Sequence, residues 1–235
     1  MTKGKLFLIP TPLGDDALHT IPPYVIDIIH SLDTFIVERA KTARHFIKAT
    51  QPPYPLSNVT VFEIDNDSQS IDYQDIKPIL ESGKSIGILS EAGCPGVADP
   101  GAVVVAWAHN QGYEVVPLVG PSSILMALMA SGMNGQSFTF HGYISAKREE
   151  LSKDLKRLEE LARKNNHQTQ IFIETPYRNK QLIETALTAL SPSTKFCIAA
   201  DISLTPQYIV TKTIAEWKKT NIPDLHKKAA IFLIG

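Results

Sequence analysis

The chain has 235 residues, 43% of them hydrophobic, which is enough to bury one large core or two compact ones. The 23 Lys and Arg nearly balance the 24 Asp and Glu, and a net charge of −1 excludes a globally basic protein that binds nucleic acid regardless of sequence. The two cysteines are far apart and the seven histidines lack metal-ligand spacing, so we expect no metal site. The apolar runs are too short for a signal peptide or a membrane span, so we expect a cytoplasmic protein with no membrane segment.

Short apolar runs alternate with segments of helical length in the first half of the chain. The apolar runs predict strands at residues 5–9, 34–37, 59–64, 85–90 and 114–119. The intervening segments predict helices at residues 22–31, 41–49, 73–82 and 101–111. Strands that alternate with helices in this way predict a mostly parallel sheet covered on both faces.

The second half of the chain is less regular. It predicts helices at residues 121–131, 147–164 and 178–190, and strands at residues 138–143, 170–174, 195–200, 208–213 and 229–234. Consecutive strands near the end predict a mixed sheet. We therefore expect two α/β domains, an N-terminal one over residues 1–118 and a C-terminal one over residues 119–235.

Three loops rich in Gly and Pro follow predicted strands, at residues 10–16, 90–101 and 120–123. Ligands bind at the carboxyl ends of the strands of an open α/β sheet. Ordinary βα turns are the alternative explanation for any one loop, but such turns need only about two to six residues, and the second loop is longer. None of the loops contains a dinucleotide or phosphate-loop fingerprint. The pattern therefore favours a nucleoside-type cofactor over NAD or ATP.

These loops, with Glu174-Thr175-Pro176-Tyr177-Arg178, resemble the motifs of the tetrapyrrole methylase superfamily. The branch that the chain resembles most is the ribosomal RNA small subunit methyltransferase I family, which methylates a cytidine 2′-hydroxyl. Its S-D-A-G-x-P-x-x-x-D-P-G loop is matched by residues 90–101, with Glu91 in place of Asp. Its T-P-x-G-N turn is matched by residues 11–15, and its P-G-P-S motif by residues 119–122, which begin with Val119.

The resemblance implies S-adenosylmethionine as cofactor, held in the cleft between the two domains. The positions that match its cofactor site are Leu13, Gly93, Cys94, Val97, Ser122, Ser123, Thr175 and Ala229. Methyl transfer from a sulfonium needs no protein nucleophile, so Cys94 is expected to be a small loop residue near the cofactor. The resemblance also implies a homodimer.

For the acceptor, the resemblance implies ribosomal RNA or the small ribosomal subunit, with Glu38, Asp99 and Arg178 as catalytic residues. Glu38 and Asp99 are candidates for the base that removes the hydroxyl proton, and a helix cap or a surface ion pair is the alternative role for each. The family's E-D-T-R motif is replaced here by residues 38–41, which keep the Glu but end in Lys41. Lys41 and Arg44 are expected either to contact RNA phosphate or to lie on a solvated helix face.

Two other functions remain open from the sequence. The acceptor could be a tetrapyrrole or another small molecule, which a deep apolar pocket would favour, whereas a basic rim at Lys41 and Arg44 would favour RNA. The chain could also be a non-catalytic protein that binds S-adenosylmethionine, although Glu91 and Asp99 are retained. We further expect the chain to be a short form that lacks the C-terminal extension of longer relatives.

Overall fold

The computed structural model describes residues 2–65, 71–165 and 167–235. Its contacts divide the chain into two units, Met1–Ser122 and Ser123–Gly235. The sequence predicts a boundary after residue 118. Within the described residues no helix is both long and apolar enough to cross a membrane.

The first unit alternates strands and helices. Its strands are β1 (Lys5–Ile9), β2 (Thr34–Val37), β3 (Thr60–Glu63), β4 (Ile86–Leu89) and β5 (Glu114–Pro117). Its helices are α1 (Pro23–His30), α2 (Ala40–Ala49), α3 (Ile76–Glu81) and α4 (Ala102–Asn110). The strands form a parallel sheet in the order β3-β2-β4-β1-β5. The predicted parallel sheet is confirmed.

Every residue of β2 and β4 is buried, as expected for inner strands that are covered on both faces. One apolar cluster joins this sheet to α1 and α2, for example through Ile29 and Ile47. A second cluster joins it to α3 and α4, for example through Leu80 and Val104. The helix that follows β4 therefore lies on the opposite face of the sheet from the helices that follow β1 and β2.

The second unit contains a mixed sheet. Its strands are β6 (Phe138–Tyr143), β7 (Thr169–Ile173), β8 (Lys195–Ala200), β9 (Tyr208–Thr213) and β10 (Ala230–Ile234), in the order β6-β7-β10-β8-β9. Its helices are α5 (Ser123–Ser131), α6 (Arg148–Lys164), α7 (Asn179–Ala189) and α8 (Ile214–Trp217). β6 and β7 are parallel and the other neighbouring pairs are antiparallel, so the predicted mixed sheet is also confirmed.

One apolar cluster holds α6, α7 and α8 against this second sheet, with Phe172, Phe196 and Phe232 stacked at its centre. α5 packs against β8, β9 and β10, and none of its residues belongs to that cluster.

Several elements are shorter than predicted. α3 begins at Ile76 rather than near residue 73, and α5 begins at Ser123 rather than at Pro121. The sequence reading missed α8, which is a single turn closed by a capping box between Thr213 and Glu216. The apolar period gives little signal for so short a helix.

Candidate functional site

The loops that follow β1 and β4 meet at the carboxyl edge of the first sheet. β1 and β4 are adjacent and parallel, and the helices after them lie on opposite faces. A crevice opens where neighbouring strands lead to opposite faces, and this is where open α/β sheets bind ligands. The topology therefore makes residues 10–16 and 90–101 the candidate ligand-binding edge of this unit.

Hydrogen bonds join these two loops. The Thr11 N–H donates to the Gly93 carbonyl at 2.9 Å, and the Gly93 N–H donates to the Thr11 carbonyl at 3.1 Å. The buried Ser90 hydroxyl also donates to the Gly93 carbonyl, at 2.7 Å. Gly93 has φ +80°, a conformation in which other residues are strained. Its peptide groups are thus committed to holding the loops together, and Gly is needed for the shape of the turn.

Asp99 organises the rest of the long loop. Its Oδ1 accepts hydrogen bonds from the N–H groups of Gly96, at 2.6 Å, and Gly101, at 2.8 Å. Burial raises the pKa of Asp99, while these two bonds oppose the rise. Ala98, which precedes it, has φ +59°. Asp99 therefore shapes a strained loop in addition to any chemical role.

Glu38 follows β2 at the same edge of the sheet. Its Oε1 accepts a hydrogen bond from the Glu91 N–H at 3.2 Å. Burial raises the pKa of Glu38, and the negative charges of Asp99 and Glu91 add to the rise while the hydrogen bond opposes it. The Glu91 side chain in turn accepts a hydrogen bond from Thr42 in α2. A carboxyl group with a raised pKa at this edge is a candidate for a general base.

The remaining predicted residues of the first unit surround the same loops. The Cys94 thiol donates to the Pro121 carbonyl at 3.4 Å, and burial, followed by the charge of Asp99, raises its pKa. This argues against a reactive thiolate. A methyl group added at Gly93 would lie 3.4 Å from Leu13 Cδ2, so Leu13 borders the turn. Val97 is half exposed on the loop surface, and Ser122 is half-buried.

Arg178 lies in the second unit, beside the carboxyl end of β7. The buried Glu174 accepts a hydrogen bond from the Thr175 N–H at 2.6 Å, and its Oε1 forms an ion pair with Arg178 Nε at 3.1 Å. Arg178 Nε also donates to the Thr175 hydroxyl at 2.9 Å. These contacts hold the guanidinium group of Arg178 at its Nε, and the Arg178 side chain is 36% exposed. The sequence placed Glu174 in a motif with Arg178, but it did not predict that Glu174 holds the Arg178 side chain.

Asn179 connects the start of α7 to the segment before β10. Its Nδ2 donates to the carbonyls of Leu225, at 2.9 Å, and Lys228, at 2.8 Å. Lys228 Nζ forms an ion pair with Asp201 Oδ2 at 2.6 Å, and the residue after Lys228 is the exposed Ala229. Ser123 is the first residue of α5. The second unit thus brings Thr175 and Arg178 together, while Ala229 lies on the segment that Asn179 holds. Asn179 was not predicted, because nothing in its local sequence marks it.

A cleft of about 710 Å³ lies in the first unit between the loop after β1 and helix α2. The α2 wall carries basic side chains and a half-buried ring, and its cleft-lining residues include Lys41, Arg44, His45, Phe46 and Lys48. The opposite wall carries two exposed carboxylates, Asp15 and Asp16, and Glu91 lies at the strand end. Leu18 and Leu56 add apolar surface. The cleft is therefore positive on one side and negative on the other.

Comparison with solved structures supports the same fold. The methyltransferase CobJ aligns with a TM-score of 0.62 and 18% identity, over 99% of this chain and 94% of that one. Cobalt precorrin-4 methyltransferase, CbiF, aligns with a TM-score of 0.59 and 14% identity, over 98% and 94%. At these identities the likeness concerns the fold alone.

Sequence comparison identifies more similar relatives. Proteins named ribosomal RNA small subunit methyltransferase I are 30% identical in Bacillus subtilis, over 91% of this chain and 68% of that protein, and 30% identical in Vibrio cholerae, over 90% and 69%. The protein of that name in Escherichia coli O157:H7 is 25% identical, over 99% and 78%. The profile of the tetrapyrrole (corrin/porphyrin) methylases matches residues 5–218. The chain therefore belongs to the tetrapyrrole (corrin/porphyrin) methylase family and is an S-adenosylmethionine-dependent methyltransferase.

Proposed function

We propose that the protein methylates a 2′-hydroxyl of a cytidine in small-subunit ribosomal RNA. The observation that carries this proposal is the likeness to ribosomal RNA small subunit methyltransferases I over nine-tenths of the chain, at 30% identity. The basic α2 wall of the cleft, with Lys41 and Arg44, supports an anionic acceptor such as RNA, because phosphate needs cationic partners.

The glycine-rich loop 90–101 fits S-adenosylmethionine better than a phosphate-bearing cofactor. Gly93 and Gly96 have positive φ, a backbone conformation that favours Gly. Since neither residue has a side chain, a ligand can approach the backbone of the loop at both positions. In the first unit, the proposed cofactor residues are Leu13, Gly93, Cys94, Val97 and Ser122. In the second unit, they are Ser123, Thr175 and Ala229. Gly93 is proposed to act through the shape of its turn, since Thr11 occupies its peptide groups.

S-adenosylmethionine supplies an electrophilic methyl group when it is bound. We assign the acceptor side to Glu38, Asp99 and Arg178. Glu38 takes the proton of the 2′-hydroxyl as the new C–O bond forms and the S–C bond breaks. It is preferred to Asp99 as the base because Asp99 Oδ1 already binds two N–H groups of its own loop. Arg178 offers its remaining N–H groups to a phosphate, since Glu174 and Thr175 hold only Nε.

A tritiated-methyl transfer assay tests this function. Small ribosomal subunits purified from cells that lack the protein are incubated with the full chain and labelled S-adenosylmethionine. We expect label in ribosomal RNA, at a cytidine that resists alkaline cleavage on its 3′ side. Subunits from cells that contain the protein are the control and should accept little label. Transfer to a porphyrin precursor and not to ribosomal RNA would contradict the proposal.

The protein is further proposed to act as a homodimer in the cytoplasm, where its RNA substrate is found. Met129 on α5 is 82% exposed, and Leu125 on the same helix is 50% exposed. The two side chains lie one helical turn apart and form an adjacent apolar patch, which favours a protein contact. Light scattering at several protein concentrations should give twice the mass of the chain, and Met129→Lys should lower it to that of one chain.

A further inference from the structure

The cleft between the loop after β1 and α2 has two chemically different walls. Lys41, Arg44 and Lys48 are spaced three and four residues apart on α2, so they lie along one helix face. All of them line the cleft and are exposed. Within the described part of the chain, none of the three forms an ion pair with a carboxylate. Their charges are therefore available to an anionic ligand along about 10 Å of helix.

The other wall carries carboxylates and would repel phosphate groups. Asp15 and Asp16 are exposed on the loop, and Glu91 stands at the end of β4. Carboxylates are acceptors for the exocyclic amino group of cytosine and for hydroxyl groups. A ligand that complements both walls must carry phosphates on one side and hydrogen-bond donors on the other. A single nucleic-acid strand has this distribution, with its phosphates on one edge and its bases and ribose hydroxyls on the other.

Phe46 provides a third element of recognition. Its ring is half-buried and packs against the apolar cluster that joins α1 and α2 to the first sheet, and it lines the cleft with Leu18 and Leu56. Proteins that bind single strands combine a basic groove with aromatic rings on which unpaired bases stack. A base in a duplex is already stacked and paired, and cannot reach such a ring.

We infer that this cleft binds an unpaired segment of the acceptor RNA, with phosphates on Lys41, Arg44 and Lys48 and a base against Phe46. This inference rests on the proposed function and specifies which form of the RNA is recognised and where. The recognised RNA is single-stranded at the cleft, and its amino-bearing bases face Asp15 and Asp16.

The test measures binding of a short fluorescein-labelled single-stranded RNA to the full chain by anisotropy, as a function of salt concentration. Lys48→Ala should weaken binding and reduce the salt dependence by about 0.7 in the log–log slope, the value for one contact with a single strand. Phe46→Leu should weaken binding about fivefold or more with an unchanged slope, because stacking carries no counterion release. A hairpin of the same bases should bind more weakly than the single strand.

Lys77→Ala is the matched control, since Lys77 is an exposed helical lysine of the same unit that does not line the cleft. Melting curves of each variant exclude loss of the fold as the cause. If Lys48→Ala and Phe46→Leu bind like Lys77→Ala, or if the hairpin binds as well as the single strand, the inference is overturned.

These outcomes are separate from failure of the proposed function. Wild-type methylation of ribosomal subunits combined with unchanged binding by the cleft variants would remove the cleft proposal alone. An absence of methyl transfer by the wild-type chain would remove the proposed acceptor.

Discussion

At the scale of single residues, the raised pKa of Glu38 links activity to stability. Because the pKa of Glu38 is raised in the folded protein, the protonated carboxyl contributes to the free energy of unfolding. This contribution is fully present below the ordinary pKa of a Glu and is lost as pH rises through the raised pKa of Glu38. Glu38→Gln should therefore raise the melting temperature at neutral pH and leave it nearly unchanged in acid. Gln also keeps the oxygen that accepts from the Glu91 N–H.

The same substitution should lower the rate of single-turnover methyl transfer by about a hundredfold to ten-thousandfold, the usual effect of removing a general base. Wild-type activity should rise with pH through the raised pKa of Glu38, as the carboxyl ionises. Glu184→Gln, at an exposed position on α7, is the control and should change neither rate nor stability. Loss of activity in both variants, or in neither, would argue against Glu38 as the base.

Gly93 allows a second test at the residue scale. Because its φ is +80°, Gly93→Ala should lower the free energy of unfolding by about 1–3 kcal/mol in urea denaturation, and S-adenosylmethionine should bind more weakly in calorimetry. The added methyl group itself meets only ordinary contacts, at 3.4 Å and beyond. Gly135→Ala is the matched control, since open space surrounds that position and its φ is unexceptional. Equal effects at both positions would contradict the role given to the turn.

At the scale of elements, helix α2 depends on a residue of the next strand. Arg39 is its N-cap and provides no side-chain cap, and the Ala40 N–H instead donates to the Glu63 carboxylate at the end of β3. Satisfying a free N–H at a helix start stabilises the helix, and a negative charge there adds to the effect. The first turn of α2 carries Lys41 and Thr42, so this contact also orders one wall of the cleft.

Glu63→Ala should therefore lower the free energy of unfolding by about 1 kcal/mol and increase hydrogen exchange in the first turn of α2. Glu63→Gln keeps an acceptor oxygen and loses only the charge, so it should cost less, about 0.3–1 kcal/mol. Equal losses for Ala and Gln would show that charge alone matters. Unchanged exchange at Thr42 in both would remove the capping role.

At the scale of the whole molecule, cofactor binding should stabilise the fold. A ligand at a hundred times its dissociation constant adds about 2.7 kcal/mol to the free energy of unfolding. For a chain of this length, that increase corresponds to a rise of about 5–10 °C in melting temperature. S-adenosylmethionine should produce this shift in differential scanning calorimetry. ATP is the control and should produce none, since the glycine-rich loop has no phosphate-binding fingerprint. A shift with ATP as large as that with S-adenosylmethionine would contradict the cofactor assignment.

The sequence by itself determined the order of the strands and of the helices apart from α8, the parallel first sheet, the mixed second sheet and the loops of the candidate site. These features are local, because the apolar period, the length of a run and the presence of Gly or Pro act within a few residues. Glu38 could be placed at a strand end for the same reason. Element ends were less certain, as at Ile76, where turn residues compete with the first helical turn.

Only the tertiary structure decided how these residues act together. The bridge between Thr11 and Gly93, the contact of Glu38 with Glu91 and the cap of α2 by Glu63 join positions that are far apart in sequence. The pKa of Glu38 depends on burial and on the charge of Asp99, and the cleft depends on how α2 faces the loop after β1. Strand order and packing set these distances, and no local pattern encodes them.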